Sequence, residues 1–176
     1  MANVACGNAR LGHGHALSLP LEGHLDLPHP YGVGVLLPEV TAFDLAALPA
    51  KVGPLAEALE IDTLGLGRGE TIAACANAIR ALYADIAFPT RFTPEQLPRA
   101  RVREMAERAV PGLYAGIAAG RYDHTTATDD TVIAYPSARK MTVRQAPEMV
   151  ERCLAGSNQA GRNKRRLPTG EPPWQT

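Results

Sequence analysis

Ile72-Ala73-Ala74-Cys75-Ala76-Asn77-Ala78-Ile79-Arg80-Ala81-Leu82-Tyr83-Ala84-Asp85-Ile86 is the stretch from which the fold class is read. Ile72, Cys75, Ala76, Ile79, Leu82, Tyr83 and Ile86 recur at steps of three and four, so on a 3.6-residue period they trace one stripe, predicted to be buried, with Arg80 and Asp85 off it. Downstream, Val102, Met105, Ala106, Ala109 and Val110 repeat the pattern. Thr93-Pro94-Glu95-Gln96 ahead of them offers an N-cap, a first-turn proline and a capping-box glutamine for a short turn. Upstream, Val52, Leu55, Ala56 and Leu59 form a shorter stripe, predicted to start after Gly53 because Pro54 cannot donate a hydrogen bond. Val143, Ala146, Val150, Cys153 and Leu154 mark a last helix, with Thr142 and Gln145 as a capping box and Pro147 delaying its regular start to near Ala146. Thr131-Val132-Ile133-Ala134-Tyr135 is the single β-branched run, too little to build a sheet. The fold class read from this pattern is all-α, a multi-helix domain.

With 176 residues, 45% of them hydrophobic, the chain can bury one core, so a single domain plus a tail is expected. From Gly156 onward apolar residues are too few to offset the entropy of ordering, so residues 156–176 read as a disordered tail and its basic run Arg162 to Arg166 as solvated. Lys plus Arg and Asp plus Glu both number 18, which leaves no global field for nucleic acid. Cys6, Cys75 and Cys153 stand far apart, indicating neither zinc ribbon nor disulfide framework and fitting a reduced, cytoplasmic setting. No apolar segment nears the roughly 20 residues that span a bilayer, so no membrane partner is expected.

Four of the five histidines fall between His13 and His29. Neutral imidazole ligates divalent iron and zinc well, and such sites draw ligands from element ends held by packing. Pro20, Gly23 and Pro28 are predicted to break the chain, which places His15 near a helix end and His29 at the start of the next helix, running toward Leu37. Short histidine-rich stretches are also common in solvated loops, so spacing alone does not decide between ligation and exposure.

The flanking residues carry more. Asn8-Ala9-Arg10-Leu11-Gly12, His15-Ala16-Leu17-Ser18-Leu19-Pro20-Leu21, Pro28-His29 and Val35-Leu36-Leu37-Pro38 resemble the signature of the iron-dependent (group III) alcohol dehydrogenases. Looser landmarks follow at Leu55-Ala56-Glu57-Ala58-Leu59, Ala78-Ile79-Arg80-Ala81-Leu82, Phe88-Pro89-Thr90-Arg91-Phe92 and Tyr135-Pro136 through Met141-Thr142-Val143, so the likeness runs over roughly residues 2 to 155. It implies the C-terminal helical half of that family and of dehydroquinate synthase-like proteins, with residues 1–155 as the metal-binding helical domain. By the same resemblance His15 and His29 are two ligands of a divalent metal, Fe2+ or Zn2+. An Asp and a further His, together with an N-terminal domain that binds NAD(P), would belong to a stretch preceding Met1.

Two departures from the resemblance stand out. The third His that the family often places four residues after the first ligand, near the nicotinamide, is Leu19 here, which cannot move a proton. The glycine that commonly follows the second ligand is Pro30, suited to a helix's first turn. His13 and His24 are assigned loop or outer supporting roles rather than ligation, His124 is read as exposed, and Asp26 as a loop residue rather than a substitute ligand. Gly65-Leu66-Gly67-Arg68-Gly69 is read as a flexible connector, because no strand precedes it and its spacing is not that of a dinucleotide loop.

The function implied is a metal-dependent, NAD(P)-linked oxidoreductase interconverting an alcohol and an aldehyde or ketone. Within the superfamily, maleylacetate reductase and hydroxyacid-oxoacid transhydrogenase are alternatives, with Arg91, Arg139 or Lys140 meeting a substrate carboxylate. A different class is a truncated or split helical subunit without catalysis of its own, acting through an N-terminal-domain partner chain or as a homo-oligomer. Two histidines make half of a four-ligand site, and nothing in the sequence resembles a dinucleotide-binding fold.

Overall fold

The computed structural model describes residues 12–109, 132–133 and 140–155. Val110, His124, Arg139, parts of the β-branched run and the tail from Gly156 lie outside the described residues. Helices α1 (His13–Leu25), α2 (His29–Leu45), α3 (Pro49–Ala58), α4 (Arg68–Asp85), α5 (Val102–Arg108) and α6 (Gln145–Arg152) dominate, with a 3-10 turn at Arg99–Arg101. Strands β1 (Val132–Ile133) and β2 (Met141–Thr142) pair antiparallel, Val132 opposite Thr142 and Ile133 opposite Met141. The β-branched run thus forms one rung of a two-residue ladder, and the described fold is helical as expected.

α1 and α2 form the central pair. α4 lies along α2 and carries α3, while α5 packs on α1 and α6, and α6 reaches α2. The larger core gathers Leu17 and Leu21 of α1, Val35 and Leu36 of α2, Phe92, Leu97, Val102, Met105, Met141 and Val150. A smaller one joins Leu45, Val52, Ala56, Ile72 and Cys75. Phe92 clamps the end of α6 to the bundle: its N–H donates to the Cys153 carbonyl at 2.8 Å and its carbonyl accepts from Ala155 N–H at 2.8 Å.

Local rules misjudge the prolines. α1 runs through Pro20 and Gly23, and α2 continues past Leu37 through Pro38 to Leu45. An internal proline costs about 3 kcal/mol. Leu17 and Leu21 on either side of Pro20 are buried, as is Pro20 itself, and two buried leucines at about 1.5–3 kcal/mol each offset that cost. α3 likewise starts at Pro49 rather than after Gly53; Pro54 sits on its exposed side. The chain leaves α1 at Asp26, whose φ of 53° is a left-handed conformation that Asp tolerates.

Other boundaries follow their caps. Thr93 and Gln96 cap each other reciprocally, Gln96 N–H to Thr93 Oγ1 at 3.3 Å and Thr93 N–H to Gln96 Oε1 at 2.9 Å. Thr142 N–H donates to Gln145 Oε1 at 3.1 Å, and α6 begins at Gln145 with Pro147 in its first turn. Only part of Gly65–Gly69 is a connector. Arg68 and Gly69 already belong to α4, and Gly67 is its N-cap, its N–H bound to Glu70 Oε2 at 2.8 Å.

The stripe of α4 is buried over its first half alone. Ile72, Cys75 and Ala76 are covered, but Leu82 is 54% and Ile86 58% exposed. In the second half the packed side passes to Arg80, which pairs with Glu39 of α2, and to Tyr83, whose ring lies 4.9 Å from that of Phe88. Arg80, read as off the stripe, is therefore part of the α2–α4 contact.

Cys75 and Cys153 are buried free thiols. Burial pushes both thiol pKa values up, Cys153 to about 12, with the Glu39 charge adding to the effect and Arg80, Arg91 and Arg152 opposing it. Since the thiolate is the nucleophile, neither should be alkylated by iodoacetamide in the folded chain at pH 8, and both should be in urea. Peptide mass mapping would read this, and labelling of Cys153 at the rate of a free thiol would contradict the packing.

Candidate metal centre

α1 and α2 approach closely at Ser18 and Gly32. A Cβ added to Gly32 would lie 3.3 Å from Ser18 Cβ and 3.8 Å from Ser18 Cα, so glycine permits the near contact of the two backbones. Ser18 is itself fully buried and turns its hydroxyl back to the His15 carbonyl at 3.2 Å. One turn before each of these residues stands a histidine, His15 before Ser18 and His29 before Gly32. Residues three apart share a helix face, so His15 lies on the Ser18 face of α1 and His29 on the Gly32 face of α2, and the side chains span the remaining distance. Their ring centres are 5.2 Å apart with planes inclined at 47°. His15 is the third residue of α1 and His29 the first of α2, with Pro30 in the first turn.

Two imidazoles bound at about 2.0–2.1 Å to one tetrahedral ion hold their ring centres roughly 5 Å apart. The observed spacing fits that donor geometry. Burial holds the His15 imidazole below its ordinary value of 6.5, and the neighbouring His29 lowers it further while Glu22 opposes. His15 is thereby favoured in the neutral state that a ligand requires.

Glu22 was not among the residues singled out from sequence. It stands one turn beyond Ser18 on the same face of α1, and its Oε1 lies 2.6 Å from His29 Nδ1. Its seven-residue distance from both His15 and His29 is the signal that would have found it. Among the described residues no group of three or more His, Cys, Asp or Glu converges as a metal cluster. The described residues therefore supply two imidazoles and a carboxylate bonded to one of them.

Two further histidines, His13 and His24, contact other parts of the bundle. His13 is not in a loop; it is fully buried at the start of α1, its Nδ1 2.9 Å from Asp44 Oδ1 in the last turn of α2 and its ring edge-on to Phe43 at 5.4 Å. His24 lies in α1's last turn, not a loop, and its Nε2 accepts from Arg108 Nη1 at 3.1 Å. Asp26 is exposed at the α1 C-cap, as the loop reading expects. Arg91 donates to the carbonyls of Arg152 at 2.5 Å and Leu154 at 3.2 Å, which makes it a clamp on α6.

Residues 1–135 match the model of the Fe-containing alcohol dehydrogenase family, C-terminal. The chain belongs to the iron-containing alcohol dehydrogenase family. The chain is 36% identical over 110 residues to a 1,3-propanediol dehydrogenase of Citrobacter freundii, and 34% identical over 110 residues to one of Klebsiella pneumoniae. Each alignment covers 62% of the chain and 28% of the relative. The crystal structure of a 1,3-propanediol oxidoreductase superposes with a TM-score of 0.68 at 26% identity, over 86% of the chain and 35% of that structure. The chain thus spans under a third of the curated relatives it matches. The family match covers residues 1–135, and the structural likeness confirms a helical fold of the dehydrogenase type. Among the described residues no helix is long and apolar enough to cross a membrane.

Proposed function

We propose that this chain is the helical, metal-binding portion of an NAD(P)-linked oxidoreductase interconverting an alcohol and an aldehyde or ketone, with His15 and His29 as two ligands of Fe2+ or Zn2+. The observation that supports it is the pair of imidazoles 5.2 Å apart, lying within the stretch that matches the family. The relatives' names point to short diols as the substrate class. In this reading residues 1–155 form the metal-binding domain, and the remaining ligands and the dinucleotide seat come from an N-terminal domain or a partner chain. The chemistry such a metal supplies is Lewis-acid polarisation of the alcohol or carbonyl oxygen, next to the carbon that exchanges hydride with the nicotinamide.

The chain's own residues define what this half contributes. His15 and His29 provide nitrogen donors on two different helices. Leu19, one turn beyond His15, is apolar and holds no proton, so proton exchange with the substrate oxygen falls to water or to residues of the other portion.

Metal uptake should depend on pH with a definite sign. Protons compete for the imidazole lone pairs, so Zn2+ binding is full well above the reference histidine pKa of about 6.5 and weakens as pH falls through it. His15, held below that value, loses its share later in the descent than a free imidazole would. Titration of the full chain with Zn2+ between pH 8 and 5 measures this, and undiminished binding at pH 5 would sink the assignment. Assembly with the N-terminal portion of a relative, followed by NAD(P)-dependent oxidation of 1,3-propanediol, tests the activity itself.

A further inference from the structure

We infer that Glu22 is a positioning residue for His29: its carboxylate takes the Nδ1 proton as a hydrogen bond and so leaves the Nε2 lone pair as the donor toward a metal. The inference rests on the metal-binding reading of the His15–His29 pair and adds a role within it.

Two observations carry it. The Oε1–Nδ1 distance of 2.6 Å is at the short end for a charge-assisted bond. An ionised carboxylate only accepts hydrogen bonds, so Nδ1 carries the hydrogen, and in a neutral ring Nε2 then holds the lone pair. The partners are also unequally covered. The Glu22 side chain is 18% exposed and that of His29 52%, so the carboxylate, largely taken from water, depends on the imidazole for compensation, while the ring keeps an open side.

Glu22 Oε1 would lie 3.8 Å from a Cβ at position 32, an ordinary van der Waals contact, so the carboxylate rests beside Gly32 without depending on the glycine. Direct ligation by Glu22 is the competing role. With Oε1 engaged by Nδ1 and no three-group cluster among the described residues, the carboxylate acts through His29. A carboxylate on the far nitrogen raises the basicity of the ligating one and fixes the ring's orientation, and losing such a partner weakens metal binding by about 10–100-fold.

The test uses the full chain, with Zn2+ alone as the probe. Ring 15N spectra without metal at pH 8 should show His29 as the Nδ1–H tautomer in the unmodified chain and as the mixture of a free imidazole in Glu22→Ala. Zn2+ affinity in Glu22→Ala should fall about 10–100-fold. Glu22→Gln, which keeps the shape and an accepting oxygen but not the charge, should retain part of both properties and carries the test if the alanine variant fails to fold. An Nε2–H tautomer in the unmodified chain, or unmodified Zn2+ affinity in folded Glu22→Ala or Glu22→Gln, overturns the inference. Zn2+ binding that survives His15→Ala and His29→Ala overturns the metal reading instead, and the metal-free tautomer separates the two failures.

Discussion

Phe92→Ala is expected to cost about 3–5 kcal/mol of folding stability, the largest effect of any single core truncation among the described residues. The ring is fully buried in the main core and lies 6.0 Å from that of Tyr31, so its removal leaves a cavity among groups held by other elements. Those groups cannot collapse into it freely. The Phe92 backbone is fixed by two 2.8 Å bonds to Cys153 and Ala155, and Arg91 beside it is bonded to the carbonyls of Arg152 and Leu154. Domains of this kind hold about 5–15 kcal/mol in total, so the variant should be marginal at best. Urea unfolding would show a midpoint lowered at unchanged slope. A loss below about 1 kcal/mol would mean that the α6 end is not anchored as described.

The second large effect concerns the histidine pair. His15→Ala and His29→Ala should each lower Zn2+ affinity by more than about 100-fold, beyond what loss of an outer partner produces, because each removes a donor from a set of two. Their folding costs should be unequal. His29 is 52% exposed in its side chain, so its loss costs little packing, and what it costs in urea should come from leaving the Glu22 carboxylate without its imidazole. His15 is more covered, and its truncation opens space one turn from Ser18. Measuring both urea midpoints and Zn2+ titrations separates ligand loss from unfolding. Equal Zn2+ binding in a folded His29→Ala chain and in the unmodified one is the outcome that would remove the pair from the metal's first sphere.

The helical class and most helix positions are legible because burial imposes a 3.6-residue period, and Ile72, Cys75 and Ala76 display it plainly. The period weakens where a helix trades apolar cover for a charged partner, which is why Leu82 and Ile86 are exposed and Arg80 is engaged. Pro20 and Pro38 mislead for a related reason: a local cost is visible in sequence, and the burial that offsets it belongs to the tertiary structure. At the site, the pairing of His15 with His29 could be expected from the flanking residues. Their approach could not, since it depends on Ser18 and Gly32 meeting across two helices, and a serine and a glycine in a helix announce nothing by themselves. Glu22 escaped notice for the same reason, as did the burial of His13 against Asp44.

The contact of Ser18 with Gly32 also acts as a pivot with short arms. Each imidazole stands one turn from it, about 4.5 Å along its own helix. A change of roughly 10° in the crossing angle then displaces either ring by less than about 1 Å, whereas the same rotation carried to the far end of α2 would sweep several times farther. Reorientation of the bundle would therefore be felt most at the helix ends and least beside the Ser18–Gly32 contact.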